Sequence, residues 1–78
     1  MGFRHKRVGK RAQAVAEILR RNGRMDELSL MRALMRETLD EEKVLPSIYS
    51  IRDAIRVAEK QGLIRRIDND RTYYEAVV

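Results

Sequence analysis

The side chains best suited to binding a partner lie between residues 47 and 61, where apolar residues recur with helical spacing. At 100° per residue, one side of this helix is predicted to be buried and holds Ile51, Ile55 and Ala58, flanked by Ile48 and Ala54. The opposite side carries hydrogen-bonding and charged groups, which are Tyr49, Arg52, Asp53, Arg56 and Lys60. The helix therefore offers a partner two guanidinium groups that lie one turn apart.

These residue types match the hydrogen-bonding groups of DNA bases. Arg donates two bonds to O6 and N7 of guanine, Tyr reaches a phosphate or a thymine methyl, and a carboxylate accepts from N4 of cytosine. The exposed side of the helix thus offers base-contacting groups on Tyr49, Arg52, Asp53 and Arg56. The alternative is a solvated face on which Asp53 and Arg56 pair within the helix.

The charge of the chain is unevenly distributed. The net charge is +5, but residues 1–24 hold eight basic side chains and one acidic one, whereas residues 25–43 hold three basic and six acidic ones. A surface polarised in this way orients a protein in the field of a polyanion such as DNA. Solubility or heat stability is the alternative reason for so many charges. Arg outnumbers Lys thirteen to four, which favours recognition of phosphate and guanine.

Several classes of active site are absent from the sequence. There is no Cys, and the one His is His5, in a basic stretch near the N-terminus. The chain lacks the Gly-rich phosphate loop, and the acidic run 40–42 lacks the Gly of a calcium loop. We expect no catalytic residue, no cofactor and no metal site, and hence a protein that is not an enzyme.

Membrane insertion and secretion are not expected either. No apolar run approaches the roughly 18 residues of a membrane span. The stretch from Arg4 to Arg7 is charged and is not followed by the apolar core of a signal peptide. The sequence therefore predicts a cytoplasmic protein without membrane contact.

The functional helix must be held by the elements around it. Residues 1–9 predict a flexible basic arm, and residues 10–78 predict one domain. The first helix is expected from about residue 10 to residue 21, because Asn22 and Gly23 favour a helix end there.

A second helix is expected from about residue 27 to residue 39, with Asp26 as its N-cap. Its inner stripe is predicted to consist of Leu28, Met31, Met35 and Leu39, and Leu34 broadens it. Residues 40–43 are then expected to form an acidic connector or an extra helical turn.

The third helix and the residues after it complete the predicted order of elements. Pro46 and Ser47 favour a helix start, and Gly62 favours its end. Residues 63–67 and 72–78 are rich in strand-forming types and are separated by the turn residues 68–70. The order helix, helix, helix, hairpin defines an α+β fold that is mainly α.

Residues 47–64 (SIYSIRDAIRVAEKQGLI) have a recognisable pattern, with the opening Ser50-Ile51-Arg52-Asp53 and a closing Glu-Lys-x-Gly-Leu-Ile. This pattern resembles the recognition helix of winged helix-turn-helix regulators of the MarR/ArsR type and their archaeal relatives. The order of elements is similar over about residues 10–77, and the residue pattern over residues 47–67.

The resemblance implies a sequence-specific regulator of transcription that binds double-stranded DNA, with the third helix in the major groove. By position, it implies that the bases are faced by Ser50, Arg52 and Asp53, with Tyr49 and Arg56 beside them. The hairpin would be the wing, with Asn69 and Arg71 at its tip. Contacts to the DNA backbone would come from Lys6, Arg7, Lys10, Arg11, Ser47, Lys60, Arg65 and Arg66. Because Arg65 and Arg66 alternate along a strand, only one of them is expected to face the DNA.

A homodimer is also expected, because a domain this small is often stabilised by pairing with a second copy. Its interface is expected on the first helix, on the second helix at Leu30, Ala33 and Leu34, or on the last strand with Tyr73 and Val77. No extra helix is available to form an effector pocket, so we expect no small-molecule effector.

A second hypothesis is a winged helix used for protein contacts, as in polymerase, replication or ESCRT-like assemblies. Asp53 and the acidic connector favour it. A variant that binds RNA or a replication origin is a further alternative.

Overall fold

A computed structural model describes residues 9–77 of the chain. The elements follow in the order α1 (Lys10–Asn22), β1 (Met25–Asp26), α2 (Glu27–Glu42), α3 (Ile48–Lys60), β2 (Ile64–Asp68) and β3 (Thr72–Ala76). The predicted α+β class with mainly helical content is confirmed. Nearly all of the predicted basic arm, including Lys6 and Arg7, lies outside the described residues.

The strands form one antiparallel sheet in the order β1-β3-β2. The predicted hairpin is present, and its register runs from Ile64 opposite Ala76 to Asp68 opposite Thr72. A third strand was missed, because β1 has two residues and pairs with β3 through Met25 opposite Tyr74. Two residues are too short to produce an alternating pattern, so the expectation of a two-stranded sheet was wrong.

The core forms where α1 contacts α2, α3 and the sheet. Its buried side chains are Ala12, Val15, Ala16, Ile18, Leu19, Leu30, Met31, Leu34, Ile51, Ala54, Ile55, Ala58, Ile64 and Tyr74. Most of these side chains come from helices, and Ile64 and Tyr74 join the sheet to them. This packing fixes α3 against the sheet.

The inner face of α2 agrees with the predicted one at Met31 and Leu34, which are buried, and differs from it elsewhere. Leu30 and Leu34 are fully buried, whereas Leu28 is 57% exposed and Leu39 is 41% exposed. Apolar residues occupy more than one side of α2, so their spacing permits two inner faces, and α1 and α3 cover the one centred on Leu34. The expectation that Leu30 and Leu34 form an exposed dimer edge is therefore wrong, and Ala33 is partly buried against the same core.

Of the two alternatives for residues 40–43, the structure has the extra helical turn. The helix continues to Glu42, beyond the expected end near residue 39. Lys43 ends it in the left-handed conformation at φ 59°, and its N–H donates to the carbonyl of Leu39. The link to α3 is consequently short, and residues 43–47 separate the two helices.

The ends of α3 lie where the sequence predicts them. The hydroxyl of Ser47 accepts a hydrogen bond from the N–H of Ser50, which is the geometry of an N-cap. Gly62 has φ 79°, a conformation that favours glycine. Ile48 was expected beside the buried side, but it is 49% exposed because the buried face of α3 begins one turn later, at Ile51.

No helix between residues 9 and 77 has both the length and the apolar character needed to cross a membrane.

Candidate nucleic-acid interface

The outer face of α3 is exposed along its length. Its exposed side chains are Tyr49, Arg52, Asp53, Arg56 and Lys60. The helix presents them because Ile51, Ala54, Ile55 and Ala58 anchor its other face in the core. The side chains predicted to meet a partner thus share one accessible surface.

One ion pair lies on this face. The Nη2 atom of Arg56 is 3.4 Å from Oδ1 of Asp53, one turn earlier. Both side chains are well exposed, at 76% and 62%, so solvent screens the attraction and the pair is weak. Little interaction free energy is therefore lost when Arg56 exchanges Asp53 for another hydrogen-bond acceptor.

A concave groove of about 670 Å³ lies between α3, the start of α2 and the sheet. Arg52 and Arg56 line it from α3, and Arg66 and Tyr74 line it from the sheet. Arg66 is brought there by strand register, because it lies opposite the buried Tyr74 and shares the sheet face that packs on the helices. The structure thus gathers three guanidinium groups around one groove.

Acidic groups line the same groove. They are Glu27 at the start of α2 and Asp53 and Glu59 on α3. Burial raises the pKa of the Tyr74 hydroxyl, and the nearby carboxylate of Glu27 raises it further. The hydroxyl therefore stays protonated at neutral pH and remains available as a hydrogen-bond donor in the groove.

Arg65 occupies the other face of the sheet. Its Nε atom donates to Oε2 of Glu75 at 3.0 Å, and Arg24 lies 3.6 Å from the same carboxylate. The hydrogen bond from Arg65 lowers the pKa of the Glu75 carboxyl. The predicted alternation of Arg65 and Arg66 is thus confirmed, and Arg66 is the member on the side of α3.

Arg11 and Ser50, both predicted to contact DNA, contact each other. The Nη1 atom of Arg11 donates to the Ser50 hydroxyl, and Nη2 lies 3.0 Å from a carboxylate oxygen of Glu42. The Arg11 side chain is 33% exposed. It connects the start of α1 with the end of α2 and the first turn of α3, so it supports the position of that turn.

The remaining predicted contacts lie at the edges of the interface. Lys10 is exposed at the start of α1, and Ser47 is exposed at the N-cap of α3. Asn69 and Arg71 are exposed in the turn between β2 and β3, where the N–H of Asn69 donates to the carbonyl of Arg71 at 3.0 Å. Each of these groups is accessible, but none lines the groove.

Sequence reasoning missed three residues of the groove. Glu59 lies one turn from Arg56 and two turns from Arg52, so helical spacing alone could have identified it. Glu27 and Tyr74 reach the groove through tertiary packing, which no local pattern reveals. Within residues 9–77, no three His, Cys, Asp or Glu side chains come together as a metal site requires.

No family model matches the chain, and comparisons with curated proteins and with solved structures find no significant similarity.

Proposed function

We propose that this protein is a winged helix protein that binds double-stranded DNA in a sequence-specific way and regulates transcription. In this proposal α3 enters the major groove and the hairpin of β2 and β3 lies against the adjacent backbone. Binding blocks a promoter or recruits a partner to it, and the DNA undergoes no chemical change. A homodimer on a nearly palindromic site would give the two protomers equivalent contacts.

The observation that carries the proposal is the shared position of Arg52, Arg56 and Arg66. All three side chains line one groove that joins the exposed face of α3 to the sheet. An arrangement of this kind permits Arg52 and Arg56 to donate to base edges while Arg66 meets the neighbouring backbone. Guanidinium groups are suited to both tasks because their planar donors fit guanine and phosphate.

Asp53 has a second role in this proposal. Its carboxylate pairs with Arg56 in the free protein, at 3.4 Å. On DNA it would either keep orienting Arg56 or accept a hydrogen bond from N4 of cytosine. Either role makes Asp53 a determinant of which bases are accepted, since an unpaired carboxylate is repelled by phosphate.

The test compares two arginines in matching local settings. Arg56 and Arg20 each pair with an acidic residue three positions earlier, and the N–O distances are 3.4 Å and 3.3 Å. Arg20 lies in the last turn of α1 and does not line the groove. In fluorescence anisotropy titrations with duplex DNA, Arg56→Ala is expected to weaken binding by about tenfold or more.

The control Arg20→Ala removes the same charge and is expected to change the dissociation constant by less than about twofold. Circular dichroism establishes that both variants fold. Equal effects of the two substitutions, or no binding of wild type at low salt, would contradict the proposal.

A protein-binding role is the second candidate, and the acidic groups in the groove favour it. Glu27, Asp53 and Glu59 balance the three arginines, so the groove itself carries no net charge. A protein surface with charges of both signs complements such a groove better than DNA does. The Arg56 titration separates the candidates, because a protein-binding groove predicts no affinity for DNA.

A further inference from the structure

An exposed apolar cluster precedes and begins α3. Val44 is 61% exposed, Leu45 66%, Ile48 49% and Tyr49 80%, all within six consecutive residues. Exposure of four large apolar side chains so close together leaves apolar surface in water that binding would bury. We call these four residues the apolar corner.

The position of the corner restricts what can cover it. Tyr49 lies on the same face of α3 as Arg52 and Arg56, at spacings of three and seven residues. A partner that covers the Tyr49 ring must therefore also accommodate two guanidinium groups. It must combine apolar groups with hydrogen-bond acceptors at a separation of about one helical turn.

The major groove of DNA offers that combination. Thymine presents a methyl group at C5 beside its O4 acceptor, and guanine presents the O6 and N7 acceptors. Residues at the N-terminal end of a recognition helix are the ones that contact base edges. The apolar corner occupies that end of α3, with the arginines following it.

We infer that the apolar corner recognises thymine methyl groups, so that the bound duplex carries thymines next to the bases contacted by Arg52 and Arg56. This inference rests on the proposed function. Tyr49 supplies the most exposed ring, and Leu45 and Ile48 extend the apolar contact on its N-terminal side. The corner thus makes the protein selective for thymine over cytosine at these positions.

The test removes the methyl group and nothing else from the DNA. A duplex selected from a random pool by the wild-type protein is resynthesised with deoxyuridine in place of each thymine in turn. Burial of one methyl corresponds to about a fourfold change in affinity. We expect one or two positions at which deoxyuridine weakens wild-type binding by about threefold to fourfold.

Variants then assign the effect to the corner. In Tyr49→Ala or Leu45→Ala, deoxyuridine and thymine duplexes are expected to bind with equal affinity at those positions. Tyr49→Phe keeps the ring and is expected to keep the preference, which separates ring contact from a hydroxyl bond to phosphate. Leu28→Ala is the control, because Leu28 is 57% exposed in the first turn of α2 and does not line the groove.

Each outcome decides the inference. Specific binding with no deoxyuridine effect, or with an effect that survives both alanine variants, overturns it and leaves the proposed function intact. Failure of wild type to bind any duplex overturns the proposed function and this inference together. If Tyr49→Ala alters the sedimentation coefficient without changing the thymine preference, the corner is a protein interface and the inference is wrong.

Discussion

Arg11 at the start of α1 donates a hydrogen bond to the hydroxyl of Ser50, which lies 39 residues later in the first turn of α3. The same guanidinium reaches the carboxylate of Glu42 at 3.0 Å, at the end of α2. One side chain thereby joins all three helices next to the apolar corner. The relationship gives Arg11 a structural role that is separate from any contact with phosphate.

The first prediction concerns this connection. Arg11→Ala removes hydrogen bonds to both neighbours, so we expect the free energy of unfolding to fall by about 1 kcal/mol or slightly more. Urea denaturation, monitored by circular dichroism, measures this free energy. Arg20→Ala removes only an exposed pair within one helix and is expected to cost about 0.5 kcal/mol or less. If Arg11→Ala and Arg20→Ala lowered the free energy of unfolding equally, Arg11 would not hold α3 in place.

The second prediction separates base contacts from backbone contacts. Arg52→Ala removes a proposed base contact, so specific binding should weaken by about 1–3 kcal/mol while binding to random duplex changes little. Arg66→Ala removes a proposed phosphate contact and should weaken both by similar factors. It should also reduce the slope of log affinity against log salt by about one. Competition titrations at several salt concentrations measure the affinities for both duplexes and the salt slope. If the two variants changed these values alike, the assignment of Arg52 to bases and Arg66 to the backbone would be contradicted.

The third prediction follows from the Glu75 carboxyl. The hydrogen bond from Arg65 holds its pKa below the usual 4.5. A lowered folded-state pKa means that the pair adds stability above pH 4.5, and that this stability is lost as the pH falls below that value. Glu75→Gln should therefore flatten the fall in Tm between about pH 5 and pH 3. Glu41→Gln, at an exposed carboxyl on α2, is the control and should leave the profile unchanged.

The fourth prediction tests which face of α2 is buried. Leu34 is fully buried and Leu39 is 41% exposed, although both are leucines on the same helix. Leu34→Ala should lower the free energy of unfolding by about 2–5 kcal/mol, because it leaves a cavity in the core. Leu39→Ala should cost less than about 1 kcal/mol. A larger loss of stability for Leu39→Ala than for Leu34→Ala, in thermal or urea denaturation, would contradict the burial of Leu34.

Local signals explain why α3 could be predicted so closely from the sequence. Ser47 caps it and Gly62 follows its end, and both act within one turn of the residues they affect. The separation of its apolar and polar faces is a property of the helix alone. The exposed positions of Arg52 and Arg56 follow from that property, without reference to the rest of the chain.

The groove and the inner face of α2 depend on packing between distant segments. Arg66 reaches the groove because β3 pairs with β2 in one register, and Glu27 reaches it because α2 starts beside the sheet. The spacing in α2 allows two inner faces, and contact with α1 decides between them. No local pattern encodes these relationships, so the sequence alone did not reveal them.

The most direct test of the proposed function is selection of bound duplexes from a random pool, followed by sequencing. We predict that wild type enriches one recurrent site containing guanine next to thymine, and that the Arg52→Ala, Arg56→Ala double variant loses this enrichment. A pool that stays random after repeated selection with folded wild-type protein would contradict sequence-specific DNA binding.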